Sequence, residues 1–210
     1  HWNVPDKYLL SGTDGGNPRW WGGFYTKNVD RSRFSLTKIM NGSDPKGYNT
    51  LMSDVDEIAK QLKRLSDADV PVLFRPLHEA SGGWFWWGAD GSEAYKKLWQ
   101  AIYNKLTNEY KLDNIIWVWN GQAANWYPGD EYVDIIGEDI YPGTRDYSAQ
   151  SSKYLEATDC SPNGKIVALT ENGCLFDLDK AFDANTAWSY FGTWSGEFCI
   201  SSSEKYTEKS

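Results

Sequence analysis

Apolar residues recur at helical spacing through residues 48–67. Leu51, Val55, Ile58, Leu62 and Leu65 share one face and charged residues take the other, which predicts an amphipathic helix. The period then changes. Residues 70–77 form a short apolar run, Val70 to Leu77, that predicts a strand leading directly into His78-Glu79. The alternation repeats. Tyr95, Leu98, Trp99, Ile102 and Leu106 mark a second helix over 92–110, and residues 115–120 read as a strand. A Gly/Asn/Pro-bearing loop with Trp126 leads to a strand over 133–141. A helix over 147–158, a strand over 165–171, a short helix over 179–188 and a last strand over 187–194 complete the pattern. Residues 1–47 read as loop, rich in Gly, Pro, Asn, Asp and Ser, with Trp2, Trp20 and Trp21 among them.

Strands alternating with helices imply parallel βα units. The strands are nearly continuous apolar runs, as expected when both faces are buried. Their ends carry polar or aromatic residues: Glu79, Asn120, Tyr141, Glu171 and Trp194. A (β/α)8 barrel places its chemistry at such ends. A doubly wound sheet also binds ligands there, but no strand here is followed by a glycine-rich phosphate-binding motif. The pattern therefore favours a TIM-type (β/α)8 barrel. Residues 1–210 read as a single domain without internal repeat, low-complexity segment or linker.

Charge narrows the partners. With 21 Lys and Arg against 29 Asp and Glu, the net charge is −8, so neither a nucleic-acid backbone nor an anionic membrane surface is expected. Aromatic content points the other way. Twelve Trp and 13 Tyr among 210 residues exceed what a core needs, because each buried indole N–H must find a partner. Such side chains suit ligands with apolar faces and polar edges, as sugar rings have. The three cysteines, Cys160, Cys174 and Cys199, form no CxxC or Cys/His cluster, so no metal or cofactor is expected.

Two predicted strands deliver a lone glutamate, in Leu77-His78-Glu79 and Leu169-Thr170-Glu171. Glycoside hydrolysis requires two carboxyl groups at one mouth: one donates a proton to the leaving oxygen and one attacks the anomeric carbon. Their pKa values must be split, and Trp84, Trp86 and Trp87 offer Glu79 the drier surroundings. Spacing alone does not say which glutamate does which.

The run Arg75-Pro76-Leu77-His78-Glu79-Ala80-Ser81-Gly82-Gly83-Trp84-Phe85-Trp86-Trp87-Gly88 closely resembles the acid/base segment of glycoside hydrolase family 26, mostly endo-β-1,4-mannanases. His1-Trp2-Asn3, Gly137-Glu138-Asp139-Ile140-Tyr141, Thr170-Glu171-Asn172-Gly173 and Thr193-Trp194-Ser195-Gly196-Glu197-Phe198 follow in family order, so the resemblance spans nearly the whole chain. It implies a (β/α)8 barrel with Glu79 as general acid/base after the fourth barrel strand and Glu171 as nucleophile after the seventh. It further implies that Tyr141 hydrogen-bonds the nucleophile, that His78 sits near the sugar 2-hydroxyl, that Trp84 and Trp194 stack on the sugar near the cleavage point, and that His1 lies on the glycone side.

Family order places His1 at the end of the third barrel strand, so two strands and most of a third, together with the last helix, are expected outside these 210 residues; a full barrel has ~250. The resemblance also implies a secreted, monomeric enzyme without cofactor, alone or within a modular protein, acting on β-mannan polysaccharide or oligosaccharide. Two alternatives stay open. One is the same machinery acting on mixed-linkage β-glucan or β-1,3-xylan. The other is a non-catalytic carbohydrate-binding module, which would explain the tryptophans but not both strand-end glutamates.

Overall fold

The computed structural model describes residues 1–3, 23–26, 34–143 and 145–199. Trp20 and Trp21, read above as loop residues, lie outside the described residues. The chain divides into two compact units, residues 1–117 and 118–210.

In the first unit a five-residue helix, α1 (Leu36–Met40), precedes the long α2 (Pro45–Ser66). The expectation of loop throughout residues 1–47 is thus corrected at α1, which buries Leu36 and Ile39. Helix α2 begins where the Asp44 side chain caps the Gly47 N–H at 2.9 Å and Pro45 fills the first turn. Its buried stripe of Leu51, Met52, Val55, Ala59 and Leu62 follows the predicted face in part, each large aliphatic contributing about 1.5–3 kcal/mol by leaving water; Ile58 and Leu65, read on the same face, are exposed. The strand read over 70–77 shrinks to β1 (Val72–Phe74). Pro71 and Pro76 lack a ladder donor, and Leu77 turns into the left-handed region at φ 56°.

Helix α3 (Ser92–Tyr103) buries Tyr95, Leu98, Trp99 and Ile102 as predicted, then widens into a π-helical turn over Asn104–Glu109 that still buries Leu106. Strand β2 (Ile115–Trp119) follows, and its first three residues pair in parallel with β1, from Val72 opposite Ile115 to Phe74 opposite Trp117. Trp117 is the centre of this unit's core: the rings of Phe74, Tyr103 and Trp99 lie 5.4, 5.0 and 5.8 Å from it.

The second unit takes up the end of β2, where Val118 and Trp119 pair with β3 (Ile135–Ile140), buried along its whole length. β3 pairs with β4 (Ile166–Asn172), and β4 with the short β5 (Phe191–Thr193). Among the described residues these five strands pair in parallel, each with its neighbour in sequence, in the order β1-β2-β3-β4-β5. α4 (Ser151–Thr158) and α5 (Leu178–Asp183) are both shorter than the sequence pattern suggests. Ile140, Leu169 and Phe176 form a buried cluster with Ala149 and Ala181. Gly137 lets the sheet close up locally, since a Cβ there would lie 2.6 Å from the Thr170 methyl. A bulge shifts the register of β3 against β4 after Glu138, so that Asp139 stands opposite Glu171.

Candidate active site

In the first unit the chain leaves β1 through a strained turn. Leu77 and Glu79 both adopt left-handed backbone conformations, φ 56° and 52°, on either side of His78. Neither is glycine, so each costs roughly 1–3 kcal/mol that surrounding contacts must offset. One such contact is the buried Trp87 indole, which donates to the His78 carbonyl at 2.8 Å. The loop that follows is tied to residues 23–26: the Trp86 N–H donates to the Phe24 carbonyl at 3.1 Å and the Thr26 N–H to the Trp84 carbonyl at 2.9 Å. This holds Trp84, 43% exposed, where its indole N–H donates to Glu79 Oε2 at 3.2 Å.

His78 is 7% exposed. Its ring lies 4.9 Å from Phe85 and 4.7 Å from His1, the two imidazoles edge to face. Burial first, and the Arg75 charge second, push the His78 pKa down to about 3. The imidazole is therefore neutral at any ordinary pH and offers one donor and one acceptor nitrogen. The first unit thus brings together His1, His78, Trp84 and Glu79.

In the second unit Glu171 emerges near the carboxyl end of β4 and is buried. The Tyr141 hydroxyl donates to its Oε2 at 2.7 Å. Tyr141 lies just past the end of β3, with Phe198 against its ring at 5.6 Å. Trp194 follows β5, exposed, its backbone N–H donating to the Asn172 carbonyl at 2.9 Å.

Two buried residues of this unit, quoted above within a matching segment, were given no role by sequence. Asp139 accepts from Thr170 Oγ1 at 2.6 Å. Glu138, only 2% exposed, has its pKa raised to about 8, chiefly by burial and only partly offset by a hydrogen bond from Gln122. The available signal was a pair of adjacent acids inside an otherwise apolar strand. Cys160, Cys174 and Cys199 are all free thiols.

Parallel strands in chain order, with buried carboxylates at their carboxyl ends, define an α/β protein of the partial TIM-barrel class. The family model for glycosyl hydrolase family 26 matches residues 1–208. The chain is 42% identical over 200 residues to a mannan endo-1,4-beta-mannosidase of Thermothelomyces thermophilus, covering 94% of this chain and 39% of that protein. A crystal structure of a Podospora anserina GH26-CBM35 beta-(1,4)-mannanase superposes with TM-score 0.79 at 42% identity, over 94% of this chain and 42% of that one. A beta-mannanase from a symbiotic protist of the termite Reticulitermes speratus, complexed with gluco-manno-oligosaccharide, superposes with TM-score 0.75 at 35% identity, over 92% of this chain and 55% of that one. The chain belongs to glycosyl hydrolase family 26. It spans roughly two fifths to just over half the length of these relatives.

Proposed function

We propose that this chain carries the catalytic residues of an endo-acting retaining β-1,4-mannanase. The observation that carries the reading is that each strand-end glutamate meets an aromatic hydrogen-bond donor inside its own unit, Trp84 on Glu79 and Tyr141 on Glu171. Family membership supports it, as do relatives named for mannan hydrolysis.

In this reading Glu171 attacks the anomeric carbon while Glu79 protonates the glycosidic oxygen, and the C–O bond breaks to leave a glycosyl-enzyme. Glu79, now a carboxylate, takes a proton from water as that water displaces Glu171, and the anomeric configuration is retained. The two carboxyl groups must then work about 5–5.5 Å apart. The Tyr141 hydroxyl stabilises the Glu171 carboxylate before it attacks and again as it leaves. The neutral His78 binds the sugar 2-hydroxyl, Trp84 and Trp194 stack on the sugar, and His1 borders the glycone side. No cofactor or metal takes part.

Complete closure into a (β/α)8 barrel is proposed to require residues beyond these 210, consistent with the share of the relatives the chain spans. Among the described residues no helix is long and apolar enough to cross a membrane; mannan, an extracellular polymer, implies a secreted enzyme, monomeric and open to attachment of further modules. Reducing-sugar release from galactomannan, mixed-linkage β-glucan and β-1,3-xylan, measured in parallel, tests the substrate. Mannan preference is expected. Activity on β-1,3-xylan alone would move the assignment toward the Vibrio β-1,3-xylanase, 29% identical over 36% of this chain. Binding without release from any of the three would leave a carbohydrate-binding module.

A further inference from the structure

Trp84 carries more than an apolar face. Its indole N–H reaches one oxygen of Glu79, Oε2, at 3.2 Å. A glutamate carboxyl turns about a soft, two-fold terminal torsion and can present either oxygen to its surroundings. A donor committed to Oε2 removes that choice. It holds one oxygen in place and so fixes the plane of the carboxyl.

The indole itself is held from two sides. Its backbone carbonyl accepts from the Thr26 N–H at 2.9 Å and from the Thr26 hydroxyl at 3.2 Å. The ring lies against Gly82, where a Cβ would come within 2.1 Å of it. Glu79 stands in a left-handed conformation, φ 52°, so its side-chain direction is also set by the strained turn. A fixed backbone and a fixed oxygen together define where the acid delivers.

We propose that Trp84 is a positioning residue for proton transfer, its indole N–H orienting the Glu79 carboxyl that gives a proton to the leaving oxygen and later takes one from water. This rests on the reading of Glu79 as acid/base. It separates two properties of one side chain: the ring face, which binds sugar, and the N–H, which acts on catalysis.

The decisive variant replaces Trp84 in the full-length enzyme by 3-benzothienylalanine, which keeps the bicyclic ring and lacks the N–H. The expected result is that kcat/KM falls about tenfold or more for manno-oligosaccharides, whose leaving groups need protonation, while the glycosylation rate for a dinitrophenyl mannobioside stays within about twofold. Gly82→Ala, which forces the indole away, is expected to give the same split. Equal losses on both substrates, or no loss on either, would overturn the proposal, since a stacking or structural role does not depend on the leaving group. Glu79→Ala serves as the reference. If it shows no dependence on the leaving group, the acid/base reading itself fails; if it shows the dependence and the Trp84 variant does not, only the role of the N–H is lost.

Discussion

The Tyr141 hydroxyl donates a 2.7 Å hydrogen bond to Oε2 of Glu171, across the pairing of β3 and β4. Each residue comes from the carboxyl end of its own strand, and the bulge after Glu138 brings Asp139 opposite Glu171 and sets the local register. A hydrogen bond to a charged group contributes about 1.5–3 kcal/mol. Tyr141→Phe keeps the ring against Phe198 and removes only this donor. The expected loss in kcat/KM on mannan is roughly 10- to 100-fold, and because Glu171 is buried the melting temperature should fall by several degrees. A variant as fast as the parent would remove Tyr141 from the chemistry.

Glu138 and His78 make stability depend on pH in opposite directions. The folded-state pKa of Glu138, about 8, lies above its ordinary value, so the native chain holds a proton there that the unfolded chain has lost. That contribution is fully present below about 4.5 and is lost as pH rises to about 8. His78, down to about 3, does the reverse: the unfolded chain binds a proton below about 6.5 that the native chain refuses, so stability falls with pH from there toward 3. Glu138→Gln removes the first slope. Denaturant melts of the full-length enzyme at pH 5 and pH 9 should show the variant gaining on the parent at pH 9, on the order of a few kcal/mol. An unchanged difference between the two pH values would mean that Glu138 is ionised and compensated in the native state.

In the first unit α2 and α3 were legible from apolar stripes at helical spacing, and in the second β3 and β4 from short apolar runs, interrupted in β3 by Glu138 and Asp139. Boundaries failed where backbone chemistry overrides pattern. Pro71, Pro76 and the left-handed Leu77 cut β1 to three residues. Helix α1 has two buried apolar positions, too few to show a period. The π turn after Tyr103 inserts width without disturbing the spacing of Leu106. Site residues split in the same way. The strand-end glutamates announce themselves as lone acids after apolar runs. The bonds that orient them do not, because Tyr141 meets Glu171 across 30 residues and Trp84 meets Glu79 around a turn. No periodicity encodes either contact.

Residues beyond these 210 should matter for folding. In the first unit Leu73 of the terminal strand β1 is 53% exposed, and in the second Phe182 of α5 is 78% exposed. Among the described residues β1 and β5 each pair on one side only, and such parallel edges near exposed apolar side chains favour aggregation. The 210-residue chain expressed alone is therefore expected to aggregate or melt without cooperativity, and to lack mannanase activity that a longer polypeptide restores. Size exclusion, a denaturant titration and a mannan assay check this together. A monomeric, cooperatively folded and active 210-residue chain would refute it.

The two carboxylates can be told apart by their azide products. In Glu79→Ala, substrates with poor leaving groups lack the proton they need and slow severely, whereas an aryl glycoside with a good leaving group still glycosylates Glu171. Hydrolysis of that intermediate then stalls, because the group that activates water is gone. Azide needs no general base, so it attacks the intermediate from the face opposite Glu171 and releases a β-glycosyl azide. In Glu171→Ala no covalent intermediate forms with any leaving group. Azide then fills the space left by the carboxylate and displaces an activated β-donor directly, with inversion, to give the α-azide. Mass spectrometry of the trapped protein and NMR of the product identify which case holds. The reverse pairing of products would exchange the roles of Glu79 and Glu171. Full activity in both variants would place the reaction elsewhere.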